Sequence, residues 1–116
     1  MDDKYFFEYY QSKDKGEQCW RWRFILNGEI FAKSEEPFLR SSVYQAIQRL
    51  KKKAKVYTTK TFSSSNKKFY WKLESLNGRT VAMSPSGHDN ISIANSNMWK
   101  FMSLACKAEI RKGESE

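Results

Sequence analysis

The chain has one histidine and two cysteines in 116 residues, and each scarcity narrows what it can be. Cys19 and Cys106 stand far apart without the close spacing of zinc or redox sites, so reduced thiols are the expectation and a metal centre is not. No run of about eighteen apolar residues and no basic-then-apolar leader is present, so neither a transmembrane helix nor a secretory signal is expected. The expected location is the cytoplasm, with no membrane partner. A P-loop, a GxGxxG and an HExxH are all missing, which makes enzyme the weakest functional class and leaves no cofactor to expect.

What is abundant is aromatic and basic. Aromatic residues make up 16% and hydrophobic residues 40%, enough for a packed core despite a mean hydropathy of −0.77. Lys and Arg outnumber Asp and Glu by 21 to 13, for a net charge of +8 and an isoelectric point near 9.5. The excess lies in the middle of the chain, the acidic residues towards its ends. Such a field attracts polyanions, nucleic acid above all, although charge alone serves solubility equally well.

The dominant pattern is an internal repeat. Leu26, Asn27, Gly28, Ala32 and Ser34 return as Leu76, Asn77, Gly78, Ala82 and Ser84 at a constant spacing of 50, while Trp22-Arg23-Phe24 returns as Trp71-Lys72-Leu73 at a spacing of 49. Each copy reads as two alternating strands around an Asn-Gly, a strong hairpin signal because both residues reach positive φ easily. The missing residue in the first copy predicts a bulge or an altered loop there. Half the chain is too small to bury a core of its own, so residues 1–116 read as a single domain of two repeats, about 5–58 and 55–111, that share one core.

Taken in order, strands are expected at Tyr5 to Gln11, Trp20 to Leu26, Glu29 to Ser34, Lys55 to Phe62, Phe69 to Ser75 and Thr80 to Ser84. A short strand is expected at Glu109 to Arg111, ahead of a charged tail that ends at Glu116. A helix is expected from Ser42 to Ala54, with Ser42 and Gln45 as a capping box and Val43, Ala46, Ile47, Leu50 and Ala54 as its apolar stripe. Lys51, Lys52 and Lys53 suit the negative end of its dipole. A second helix, from Ile93 to Ala108, is expected to be less well capped and bulkier on its buried side. It follows an insertion at Pro85 to Asn90.

Tyr5-Phe6-Phe7-Glu8, Trp20-Arg21-Trp22-Arg23-Phe24, Asn27-Gly28, Ser34 and Lys51-Lys52-Lys53 together make the chain resemble the YegP-like family of small proteins of unknown function. The resemblance implies a β3-α-β unit present twice, in tandem, with exchanged final strands. The fold class expected is therefore α+β, with two layers, one antiparallel sheet and both helices on one face. These motifs belong to hairpins and core, and they carry no catalytic residues with them.

Alternation places Trp20, Trp22, Phe24, Phe69, Trp71 and Leu73 on one sheet face and Arg21, Arg23, Tyr70 and Lys72 on the other. The more hydrophobic face goes under the helices. The opposite face, with Lys33, is then the candidate nucleic-acid surface, since Arg and Lys meet phosphates and Tyr stacks on bases. A solvated face whose charges only discourage aggregation accounts for the same residues. His88 and Asp89, with Ser84 and Ser86 nearby, are the sole candidates for acid-base chemistry, and turn composition explains them better. The expected function is a non-catalytic binding module, monomer or homodimer, whose partner is nucleic acid or, alternatively, another protein.

Overall fold

Alternating aromatic and polar residues build most of the sheet, and the computed structural model, which describes residues 3–113, orders its elements as follows. β1 is Tyr5–Asp14, β2 Glu17–Leu26 and β3 Glu29–Lys33; α1 is Arg40–Lys53, followed by a 3-10 turn at Ala54–Val56. β4 is Thr58–Ser63, β5 Phe69–Glu74, β6 Thr80–Met83, α2 Ile91–Ala105 and β7 Glu109–Lys112. The described strands form one seven-stranded sheet in the order β4-β5-β6-β3-β2-β1-β7.

The sheet is mixed rather than antiparallel. β7 runs parallel to β1, pairing Ile110 with Phe7 and Arg111 with Glu8, because α2 carries the chain back across the sheet before the last strand. A crossover of this kind is what a parallel neighbour requires. The fold class is thus α+β, with one mixed sheet and two helices.

The hairpins close differently although both use Asn-Gly. Leu26 faces Glu29 across Asn27 and Gly28, both at positive φ (51° and 85°), which is the two-residue turn that suits strand twist. In the second hairpin the Ser75 carbonyl accepts from Gly78 N, and Ser75 N donates to the Arg79 carbonyl, both at 2.9 Å. Gly78 there has φ +83°, so the loop is one residue longer and its glycine closes the turn. The register shifts once in each hairpin, between Phe24 and Ile25 and between Leu73 and Glu74. The expected bulge therefore exists in both, and the loop accounts for the difference in spacing.

α1 begins before the expected boundary. Its N-cap is Leu39, with no side-chain cap, and Ser42 lies inside the first turn instead of capping it. The cause is non-local: Trp20 and Phe38 exchange backbone hydrogen bonds of 2.8 and 2.7 Å, which fixes where the chain leaves β3. α2 has the better cap, because Asn90 Oδ1 accepts from Ile93 N at 2.9 Å. β4 starts at Thr58, since Ala54–Val56 continue as the 3-10 turn.

The core lies between the sheet and the helices. Phe7, Phe24, Trp71 and Leu73 are fully buried, as are Ile47 and Phe101. Phe101 is its hub, with ring centroids 5.1 Å from Phe24, 5.5 Å from Trp71, 6.0 Å from Phe7 and 6.4 Å from Trp22. Two buried serines clip the hairpins: Ser34 Oγ accepts from Trp22 N at 3.1 Å and Ser84 Oγ from Trp71 N at 3.2 Å. Each clip satisfies a backbone donor just past the end of its ladder, which stops at the Arg23–Lys33 pair in the first hairpin and the Lys72–Met83 pair in the second. No described helix is long and apolar enough to cross a membrane.

Candidate nucleic-acid interface

With Trp22 and Trp71 buried under the helices, their neighbours point to the open side of the sheet. The strand registers then set one residue from every strand side by side. Lys60 pairs with Lys72, Lys72 with Met83, Met83 with Lys33, Lys33 with Arg23, Arg23 with Glu8 and Glu8 with Arg111. This transverse row crosses the whole sheet, about 29 Å at roughly 4.8 Å per strand. Five of its seven positions are cationic.

Aromatic rings lie along the row on the same face. The Arg23 guanidinium sits 4.3 Å from the Tyr10 ring centroid, that of Arg111 4.1 Å from Phe6, and Lys72 Nζ 5.4 Å from Phe62. Phe62 in turn stacks on Tyr70 at 5.7 Å and 18°. These contacts hold flexible cationic side chains flat against the sheet, which lowers the entropy cost of presenting them.

Carboxylates temper the charge. Glu8 Oε1 accepts from Arg23 Nε at 2.7 Å, Glu109 pairs with Arg111, and Glu74 lies 2.8 Å from Lys60 and 3.2 Å from Lys72. Hydrogen bonds from Lys60 and then Lys72 hold the Glu74 carboxyl below its ordinary range. Among the described residues, Lys33 is the row cation with no carboxylate within salt-bridge distance.

Of the residues singled out from sequence, Arg23, Lys33 and Lys72 therefore share the row, and Tyr70 flanks it with its hydroxyl accepting from Asn66 Nδ2 at 3.1 Å. Arg21 is on the same face but off the row. It donates to the Glu35 carbonyl at 2.9 Å and lies 3.6 Å from Asp14. Sequence reasoning missed Lys60 and Arg111. Alternation in Thr58-Thr59-Lys60-Thr61-Phe62 put Lys60 on the right face, but its place in the row needs the β4–β5 register. Arg111 needed the parallel pairing of β7.

The loop before α2 does not assemble acid-base machinery. Ser84 Oγ is engaged with Trp71 N, Asp89 pairs with Lys68, and His88 Nε2 is buried without a hydrogen-bond partner among the described residues. Nor is that loop a free turn. His88 and Phe69 exchange backbone hydrogen bonds of 2.7 and 2.8 Å, and Gly87 passes so close that a Cβ there would lie 2.4 Å from Lys68 Cβ. Cys19 and Cys106 are unpaired, and no metal-ligand cluster occurs among the described residues.

No protein-family model and no curated protein matches the chain. Among solved structures its fold is that of small α+β proteins of unknown function. One is the solution NMR structure of yegP from E. coli, with a TM-score of 0.74 and 18% identity over 95% of this chain and 93% of that one. Another is the UPF0339 protein from Shewanella oneidensis, with a TM-score of 0.71 and 17% identity over 95% and 92% of the two chains. At such identities the likeness is one of fold.

Proposed function

We propose that the chain is a non-catalytic binding module, a tandem-repeat form of the YegP-like fold, whose open sheet face binds nucleic acid through its phosphates. The transverse row carries this reading: five cations, one from each of five strands, lie across the sheet with aromatic rings beside them. A flexible single strand matches such a surface better than a duplex, because phosphates meet the cations while splayed bases stack on Phe62 or Tyr70. The tandem reading is supported by the join at the middle of the sheet, where Lys33 pairs with Met83, its own counterpart at the 50-residue spacing. Antiparallel pairing of equivalent residues is what a local two-fold axis between two copies produces.

The test is a charge-matched comparison. Arg23→Gln, Lys33→Gln and Lys72→Gln combined should weaken binding of a mixed-sequence oligonucleotide and lower the slope of log K against log salt by about 2, at about 0.7 per phosphate contact. Lys51→Gln, Lys52→Gln and Lys53→Gln combined remove the same charge from the end of α1 and should leave that slope nearly unchanged. Equal loss in both would reduce the attraction to net charge. Absence of binding by the wild-type chain in low salt would favour a protein partner, held at a sheet edge or at the Pro85 to Asn90 loop.

A further inference from the structure

On the helix side of the sheet, opposite the cationic row, a cleft of about 370 Å³ opens between α1 and the β5–β6 hairpin. That volume lies at the small end of the range for small-molecule sites. Its apolar wall comes from Trp22, Phe38, Leu50 and Val81. Side-chain size explains why it is open. Ala46 lines it, whereas α2 carries Phe101 at the corresponding phase, filling the space over Trp22 and Trp71.

The polar rim is unusual in its charges. Arg79 and Glu36 neutralise each other at 2.8 Å. Arg49 and Glu35 also line the cleft, yet among the described residues neither makes a side-chain ion pair. One unpaired cation and one unpaired carboxylate thus share the rim of an aromatic-walled cleft. Tyr57, half-buried in the same wall, has a hydroxyl with no hydrogen bond among the described residues. Burial pushes its phenol up, partly offset by the Arg49 charge, so at neutral pH it stands as a neutral donor beside that cation.

We infer that this cleft is a binding site for a small zwitterion with an apolar body, an aromatic α-amino acid, whose carboxylate meets Arg49 and Tyr57, whose ammonium meets Glu35, and whose ring lies against Phe38 and Val81. A plain organic anion would leave Glu35 opposed to it, and a plain cation would face Arg49. The zwitterion satisfies both. This site is independent of the sheet face and stands whether or not nucleic acid binds there.

The experiment is an amide-shift titration of the full chain by NMR with L-phenylalanine as probe, beside 3-phenylpropionate, which lacks the ammonium, and L-phenylalaninamide, which lacks the carboxylate. Phenylalanine should shift Leu50, Tyr57 and Val81, and each half-analogue should bind about tenfold or more weakly, as loss of a charged hydrogen bond does. Arg49→Gln should weaken phenylalanine about tenfold while phenylalaninamide, relieved of a like charge, binds no more weakly than before; Glu35→Gln should weaken phenylalanine likewise and leave 3-phenylpropionate no weaker. Ala46→Phe should abolish binding. Arg49 and Glu35 are exposed, so their variants remain decisive if Ala46→Phe fails to fold. Equal binding of all three probes, or no shifts at millimolar phenylalanine, would overturn the assignment.

Discussion

Truncating Phe101 is the most telling perturbation of the core, because its ring bridges both hairpins. The fully buried side chain touches Phe7, Phe24, Trp22 and Trp71 with centroids 5.1 to 6.4 Å away. Phe101→Ala should cost about 3 to 5 kcal/mol from lost transfer energy and the cavity left behind. The upper end is expected, since each aromatic pair adds about 0.5 to 1.5 kcal/mol beyond area. For a chain of this size about 1 kcal/mol moves Tm by roughly 4 °C, so the midpoint should fall by roughly 15 to 20 °C. Trp99, two residues earlier on α2, is 56% exposed, and Trp99→Ala should stay within about 0.5 kcal/mol. Near-ultraviolet circular dichroism during heating, with urea unfolding at constant m, measures both. A cost below about 1.5 kcal/mol for Phe101→Ala, or an equal cost for Trp99→Ala, would refute the placement of α2 on the sheet.

Four other outcomes follow from the same geometry. Glu74→Gln frees Lys60 and Lys72 and should tighten low-salt oligonucleotide binding by about fivefold at most; unchanged or weaker binding would count against the row. Because the Glu74 pKa is lowered from 4.5 by its lysine partners, its contribution to stability is present above 4.5 and lost as pH falls through the lower folded value. An acid-unfolding curve of Glu74→Gln should lack that loss. Ser84→Ala leaves the buried Trp71 N–H without its side-chain acceptor and should cost about 1 to 3 kcal/mol in urea unfolding. A chain ending at Lys53 should aggregate, unfold or dimerise, since half the core is missing; a well-dispersed monomer spectrum would show that the two halves do not depend on one another.

The faces of the strands were legible because a period of two leaves no freedom: once Trp22, Phe24, Trp71 and Leu73 went inward, Arg23 and Lys72 had to go outward. Both Asn-Gly hairpins were equally plain as hairpins, although the pair closes a two-residue turn at Asn27-Gly28 and a longer loop at Asn77-Gly78. Local sequence could not reveal which strands became neighbours. The join of β3 to β6 and the parallel docking of β7 on β1 depend on how the helices carry the chain across the sheet, and without them the row could not be assembled from its parts. The start of α1 was misread for a related reason. Ser42 and Gln45 form a good local cap, but the Trp20–Phe38 bridge fixes the chain three residues earlier, and tertiary hydrogen bonds override a cap of about 1 kcal/mol. Likewise Pro85 to Asn90 has the composition of a turn, and its docking on Phe69 is visible only once β5 is in place.

Binding of nucleic acid along the row on the open sheet face, as proposed, is read out by mapping amide shifts of the full chain during titration with a short single-stranded oligonucleotide in low salt. Shifts should run across all seven strands, at Lys60, Lys72, Met83, Lys33, Arg23, Glu8 and Arg111, and fade together as salt is raised. Shifts confined to Lys51, Lys52 and Lys53 at the end of α1, or no shifts at all, would contradict it.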